Sequence, residues 1–405
     1  LKNNGKINRK KYMSGAAGHI QSPWENMDLT FGQIREIIIK SCLGTLENAK
    51  EKLDGVNILA TYKSGHVYIA RSLKQVRDNG AEAMRWDLVG EYMKTLESRE
   101  AYSTAAKDLQ NVLFTIDEEI LQNFFLNGKY WLNMELLTPL MENIIPYNKN
   151  QLRIHNVQTE NGVIDINFDP LLKLIKVAQE GISKTFEIDK TNKVSLKFMD
   201  PTEFLKDLDS LMENFNLAER NTIEDFLAIE FWDFIDFEFS KIRERDFNLI
   251  KSLIRRWAYL DKSTSITKLL AGKNQQTVKW VKETDKNIDS IRTVFLEQII
   301  EIFSRVGSKV LLNSENIASS DPSKAQKSII DKTDDAINKM SEYRGEKSKF
   351  LKAQYERFLR AGGFDSIAPI EGVVFNYEGK LFKLTGSYLP LLKIISFFRF
   401  GRDKE

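Results

Sequence analysis

Lys52, Asp54 and Gly55 stand together in the stretch EKLDGVNILATYKSGHVYIARS, which runs from Glu51 to Ser72. They lie at the entrance to what reads as two short strands around a Lys63-Ser64-Gly65 turn. A lysine attacks an electrophile only as the free amine, which is scarce near neutrality at an ordinary pKa of about 10.4. Partial burial against a hydrophobic strand pair, or a neighbouring cation, lowers that value, so the position predicts a nucleophile with a depressed pKa. Gly55 is expected to let the backbone turn tightly, and Asp54 to hold that turn by a local hydrogen bond. The same residues also fit a solvent-facing lysine ahead of an ordinary Asp-Gly turn.

Two glutamates occupy comparable positions further on. Glu135 lies inside the apolar run KYWLNMELL from Lys129 to Leu137, and Glu371 beside the run IEGVVF from Ile370 to Phe375. A carboxylate at the margin of a buried strand is costly unless it meets a cation, a metal or a hydroxyl pair. Together with Lys52 and Lys383, these two would assemble a site for a metal-bound nucleotide phosphate. Taken singly, either glutamate also fits a chance position at a strand end.

The elements that must bring these groups together change character twice along the chain. Residues 1 to about 170 mix helix and strand: a capped helix over Asp28 to Cys42, the strand pair, a helix over Ala101 to Leu113, and strands at Lys129 to Leu137 and Leu152 to Val157. From about Asp200 to Gly362 the pattern is that of amphipathic helices, with one loop-rich stretch at Ser314 to Lys324. Strand patterning returns at Ile370 to Thr385, apolar on both sides of Asn376-Tyr377-Glu378-Gly379, which predicts a hairpin. The expected organisation is an α+β sheet domain begun in residues 1–175, interrupted by a helical insertion over 176–363 and completed by the hairpin in 364–405.

Composition bounds the partners. The chain of 405 residues is 42% apolar and 29% charged with a formal net charge of +2, which excludes nucleic-acid binding by overall basicity but not by a local patch. The single cysteine, Cys42, has no internal disulfide partner, and no Cys/His cluster has zinc-ligand spacing. No apolar run reaches the length of a membrane span, and the opening LKNNGKINRKKYMSG has no apolar signal core, so no membrane, no secretion and a reducing cytoplasm are expected. Lys2, Lys6, Arg9, Lys10 and Lys11 form a polar arm that reads as a disordered terminus or a phosphate contact. Asp200 to Phe239 holds twelve acids against two bases, and Lys251 to Lys282 eight bases against one acid. Arg255, Arg256 and Lys279 in the latter stretch interleave with Trp257, Tyr259 and Trp280, as suits single-stranded nucleic acid. An internal clamp between acidic and basic helices explains the same pattern. His19 and His66 read as surface or packing residues, and Phe226 to Phe239 as a packed helix.

The order of these motifs resembles the covalent nucleotidyltransferase superfamily of ATP-dependent DNA and RNA ligases and mRNA capping enzymes. Lys52-Leu53-Asp54-Gly55 is similar to its nucleotidyl-lysine motif, Arg71 to the arginine near sugar and phosphate, and Glu135 to the acid that holds the ribose. Glu371-Gly372 resembles the motif that helps place the metal, and Lys383 the phosphate-contacting lysine. Glu51 before the nucleophile and Asn57 five residues after it are closest to the phage RNA ligase 2 group, in which the glutamate reads adenine and the asparagine serves end joining. The whole arrangement is similar to ligase-like proteins of large tailed phages. The chain departs from the pattern at Thr385, where a second lysine is usual, and at His155, where an aromatic that stacks on the base is usual. It also departs in the length of the helical block, and in the roughly twenty residues after Lys383, too few for a small β-barrel.

The resemblance implies an ATP-grasp-like adenylation domain of antiparallel sheets with helices, and an ATP-dependent polynucleotide ligase, RNA before DNA. It would use ATP and Mg²⁺, form a lysyl-AMP on Lys52 and act on nucleic-acid ends in the cytoplasm of a phage-infected bacterium. Glu51, Lys52, Arg71, Glu135 and Lys383 would bind the nucleotide, Glu371 the metal, and Asn57, Arg255, Arg256 and Lys279 the nucleic acid. The helical block would take the place of the barrel as substrate or partner surface. From a different class comes a ligase-like fold reused as a non-catalytic, virion-associated or binding component with a phage protein as partner. Nucleotide transfer to a protein or a small molecule is a third.

Overall fold

The computed structural model describes residues 20–141, 143–226, 296–319 and 321–400. The N-terminal arm with His19, the basic and aromatic stretch from Lys251 to Lys282 with Arg255, Arg256 and Lys279, and all of Phe226 to Phe239 beyond its first residue lie outside the described residues.

Thr30 starts the first helix because its hydroxyl accepts the Gln33 amide while Gln33 Oε1 accepts the Thr30 amide, a reciprocal cap that satisfies two otherwise orphaned donors. Helix α1 (Phe31–Leu43) ends at Gly44 in the left-handed conformation at φ 71°. Strands β1 (Glu47–Lys52), β2 (Val56–Lys63) and β3 (His66–Ala70) follow, with Ser64 and Gly65 supplying the two positive φ angles of a tight hairpin turn. Next come α2 (Leu73–Gly80), β4 (Met84–Arg85), α3 (Leu96–Phe114), α4 (Glu118–Phe125), β5 (Trp131–Leu137), β6 (Gln151–Thr159), β7 (Gly162–Ile164), α5 (Asp169–Glu180), β8 (Glu187–Lys190), β9 (Ser195–Leu196) and α6 (Thr202–Asn214). The later segments supply α7 (Glu297–Leu312), β10 (Ser314–Glu315), α8 (Pro322–Met340), α9 (Gly345–Arg360), β11 (Gly372–Tyr377), β12 (Lys380–Leu384) and α10 (Tyr388–Phe400).

The result is an α+β architecture with mostly antiparallel sheets. The larger sheet has the order β4-β3-β2-β5-β6-β7, with β8 added in parallel to β6. The smaller sheet is β1-β11-β12, joining the first strand to the closing hairpin, whose turn uses Glu378 and Gly379 at positive φ. Each sheet packs an apolar face against helices. Ile58, Ala60, Leu132, Met134, Leu152 and Ile154 of the larger sheet pack on residues of α3, α4 and α5. Val373, Phe375, Phe382 and Leu384 of the smaller one pack on α1, α6 and α7. A third cluster gathers α8, α9 and α10 with Leu53, Leu137, Ile144, Ile145 and Tyr147.

The expected boundary after residue 175 coincides with no break, because α5 runs across it and β8 belongs to the larger sheet. Nor are residues 176–363 all helical. After β8, Thr191 donates its amide to Ile154 on β6, and the Glu51 and Val194 amides then bond with Asn192 and Ala49, so residues 187–194 cross from one sheet to the other. The polar composition of EIDKTNKV hides this strap from a hydrophobic-pattern reading, since both its edges are satisfied by backbone rather than by apolar side chains.

Helix α7 is wedged against the end of the hairpin. A Cβ on Gly307 would stand 2.7 Å from the Gly386 nitrogen, and Ser308 Oγ accepts the Ser387 amide at 2.9 Å. Alanine is the better helix former by about 1 kcal/mol, but overpacking against backbone costs about 1–3 kcal/mol. Gly307→Ala is therefore expected to lower the melting temperature by several degrees; an equal or higher melting point would mean that the turn at Gly386 gives way freely.

Candidate functional site

Lys52 is the last residue of β1 and lies opposite Gly372 in the β1/β11 ladder, which brings its ammonium onto the Glu371 carboxylate from 319 residues away in sequence. Because side chains alternate along a strand, Lys50 and Lys52 share the face of Val374 and Lys383, the face turned away from the smaller sheet's core. Lys383 is half-buried with no ion-pair or side-chain hydrogen-bond partner among the described residues. Burial lowers its pKa, Glu25 opposes that shift, and the nearby Lys52 adds to it.

The chain passes from one sheet to the other through Leu53-Asp54-Gly55, and this linker fixes the distance between Lys52 and β5. A Cβ on Gly55 would meet the Leu136 carbonyl at 2.6 Å and Glu135 Cγ at 2.7 Å. Gly55 is not in the left-handed region, so glycine is needed here for close approach to the strand that carries Glu135 and not for the tight turn the sequence suggested. Asp54 does not close a local turn either. Its Oδ2 accepts the Ile144 and Ile145 amides at 2.8 Å each, and its own amide donates to the Tyr147 hydroxyl at 3.0 Å, anchoring the loop that follows β5.

Electrostatics place Glu135 in the same centre. Burial pushes the Lys52 ammonium down, but Glu371 foremost, then Glu135 and Asp54, outweigh it and leave the pKa above the ordinary lysine value. The expected depression of the Lys52 pKa is thus reversed, because the carboxylates around it stabilise its charge. Burial drives Glu371 up to about 7 against the pull of Lys52. Tyr147 and Tyr388 close the buried side, both hydroxyls raised well above the phenol range by burial and by the surrounding carboxylates.

On the larger sheet, Asn57 and Glu135 are direct neighbours across β2 and β5. The Asn57 amide donates to Asn133 Oδ1 at 2.7 Å and Asn133 donates to Asn156 at 3.2 Å, so Asn57 begins an amide row across three strands. His155 Nε2 lies 3.2 Å from Glu135 Oε2 and its Nδ1 lies 2.8 Å from the Thr191 hydroxyl. Arg71 is turned towards α3, its guanidinium 5.3 Å from the centre of the Tyr102 ring. Thr385 is buried with an unpartnered hydroxyl.

Glu51 does not join Lys52. It pairs with Val373 and so shares the opposite face of β1, where it is 2% exposed, one carboxylate oxygen accepting the Ala318 amide and the other unpartnered. Thr191, Tyr147 and the Ala318 amide were not singled out by sequence reasoning. His155 had a signal that went unused: the apolar spacing Leu152, Ile154, Val157 breaks from two to three at His155-Asn156, as a β-bulge requires. Among the described residues no group of three or more His, Cys, Asp or Glu side chains forms a metal cage, and no helix is long and apolar enough to cross a membrane. Comparison of the chain with protein-family models, with curated proteins and with solved structures found no match.

Burial pushes Glu51 up to about 8, from an ordinary 4.5, with the Ala318 amide and Arg153 pulling it back. The folded protein therefore holds a proton that the unfolded chain releases near 4.5, and stability falls as pH rises from there to about 8. Glu371 contributes in the same sense only up to about 7. Glu51→Gln is expected to flatten the loss between pH 7 and 8, worth roughly 1 kcal/mol per pH unit, in denaturant unfolding measured across that range. An unchanged slope would mean that Glu51 is ionised in the fold.

Proposed function

We propose that this chain is an ATP-dependent covalent nucleotidyltransferase of the ligase type that joins polynucleotide ends, RNA before DNA, through a lysyl-AMP on Lys52. The observation that carries the reading is the meeting of Lys52 with Glu371, with Lys383 and Glu135 inside their electrostatic reach, from three separate stretches of the chain.

Lys52 Nζ attacks the α-phosphorus of ATP, the bond to the bridging oxygen breaks, and pyrophosphate leaves with its electron pair. The ammonium must first lose a proton, and Glu371, raised to about 7, is the nearest acceptor. In the nucleotide-free pair that transfer is uphill. A cation near Lys52 makes it easier, and Lys383 provides one. Magnesium is commonly held by one or two carboxylates together with substrate phosphates, and when bound here it would be held by Glu371 and would neutralise phosphate charge. Glu135 accepts from the ribose. AMP then passes to a 5′-phosphate end and a 3′-hydroxyl displaces it, with alignment and charge neutralisation as the protein's main contributions. The cytoplasm of a phage-infected bacterium is the proposed setting.

The clamped, positively charged Lys52 favours one second reading, in which the pair is only a structural tie and the fold serves as a non-catalytic, virion-associated or binding component. Intact-mass measurement after incubation with ATP and Mg²⁺ separates the two. The enzyme reading expects a single adenylyl adduct that is abolished in Lys52→Ala and formed about a hundredfold more slowly, or worse, in Glu135→Ala and Glu371→Ala. A parent protein without an adduct, or an adduct that survives Lys52→Ala, sinks it.

A further inference from the structure

His155 is the extra residue of a β-bulge: Asn133 pairs with Asn156 and Met134 with Ile154, leaving His155 without a partner on β5. The bulge takes its side chain off the core face, where Ile154 and Val157 remain, and turns it to Glu135. Bulges re-aim side chains in this way beside functional sites. A second tie reaches its backbone from the other sheet, Lys50 Nζ donating to the His155 carbonyl at 3.3 Å.

We propose that His155, locked by Thr191, is a positioning residue that orients Glu135 to accept a ribose hydroxyl and so makes the site discriminate against deoxynucleotides. The inference rests on the nucleotidyltransferase reading. A carboxylate oxygen accepts from an imidazole N–H, so the tie is written as His155 Nε2 donating to Glu135 Oε2. That bond occupies Oε2. Oε1 has no partner among the described residues, and the Glu135 side chain keeps 13% of its surface open. The far side of the ring is fixed by a hydroxyl that is 3% exposed and within 3.2 Å of the Ile154 carbonyl as well as of Nδ1. Thr191 can donate to either, so it serves neutral imidazole and imidazolium alike without leaving a group unpaired. The carboxylate is thereby held with one oxygen spent and one presented, at the start of the strand pair that the Gly55 linker presses against Lys52.

A hydrogen bond from a neutral hydroxyl to an oriented carboxylate is worth about ten- to hundredfold in binding. Adduct formation is measured with ATP, 2′-deoxyATP and 3′-deoxyATP, alongside calorimetric binding of the α,β-methylene analogue of each, which needs no chemistry. The parent is expected to prefer ATP by at least about tenfold over one deoxy analogue. In His155→Phe that preference shrinks to within about twofold, with the disfavoured analogue used nearly as before, and His155→Gln, whose amide can replace the Nε2 donor, restores part of it. A variant that loses equally on all three nucleotides overturns the proposal, as does a parent that accepts all three alike. If His155→Phe does not fold, Thr191→Val keeps the imidazole and removes only its lock: a reduced preference supports the proposal and an unchanged one overturns it. A parent that neither binds nor transfers any nucleotide ends the enzyme reading and this inference together, whereas retained adduct formation with unaltered preference ends the inference alone.

Discussion

Glu371 is a carboxylate held almost out of water, and a charge in that position costs several kcal/mol unless an opposite charge meets it. Lys52 is that charge. The pair forms only if β1 and β11 lie side by side in the register that sets Lys52 against Gly372, so the centre of the molecule depends on a strand pairing between the two ends of the described chain. The same interaction explains why the lysine rests in its charged form. Glu371, Glu135 and Asp54 together stabilise the ammonium against the burial that would otherwise neutralise it.

Around the pair, the two sheets are tied at three places. The Leu53-Asp54-Gly55 linker is the shortest, and its glycine allows the backbone to touch the strand bearing Glu135. The strap from Glu187 to Val194 is the second, bonded to β6 and then to β1. Lys50, reaching across to the His155 carbonyl, is the third. Each sheet packs one apolar face against its own helices, and the other face of the larger sheet combines a small apolar cluster of Leu59, Ala70, Val76 and Trp131 with the polar row of Asn57, Asn133 and Glu135.

Much of this was legible in the sequence because local chemistry and tertiary structure agree. Both hairpins were marked by their turn residues, and Ser64-Gly65 and Glu378-Gly379 adopt the positive φ angles those turns need. Lys52, Glu135, Glu371 and Lys383 were legible from residue type and order. Glu51 was harder: the resemblance gave it a nucleotide contact next to Lys52, whereas strand alternation sends the two side chains to opposite faces of β1. The strap stayed hidden because its role is carried by backbone hydrogen bonds, which leave no hydrophobic period. Gly55 was assigned a turn because Asp-Gly usually makes one, and only the position of β5 reveals the steric reason. The amide row from Asn57 through Asn133 to Asn156 left no trace in the sequence, because it joins three strands that are far apart along the chain.

The pairing of β1 with β11 also sets an order of events in synthesis. Contacts this distant in sequence form late and slowly, since a long loop must close before they bring any gain. While the chain emerges from the ribosome, the larger sheet and α3 to α5 can pack early, but the β11 edge of β1 stays open until Gly372–Tyr377 arrives. Until then Lys52 lacks Glu371, the foremost of its carboxylates, and its neighbour Lys383. A protein built this way has no site on an unfinished chain: whatever Lys52 does, it does only after translation has passed the hairpin.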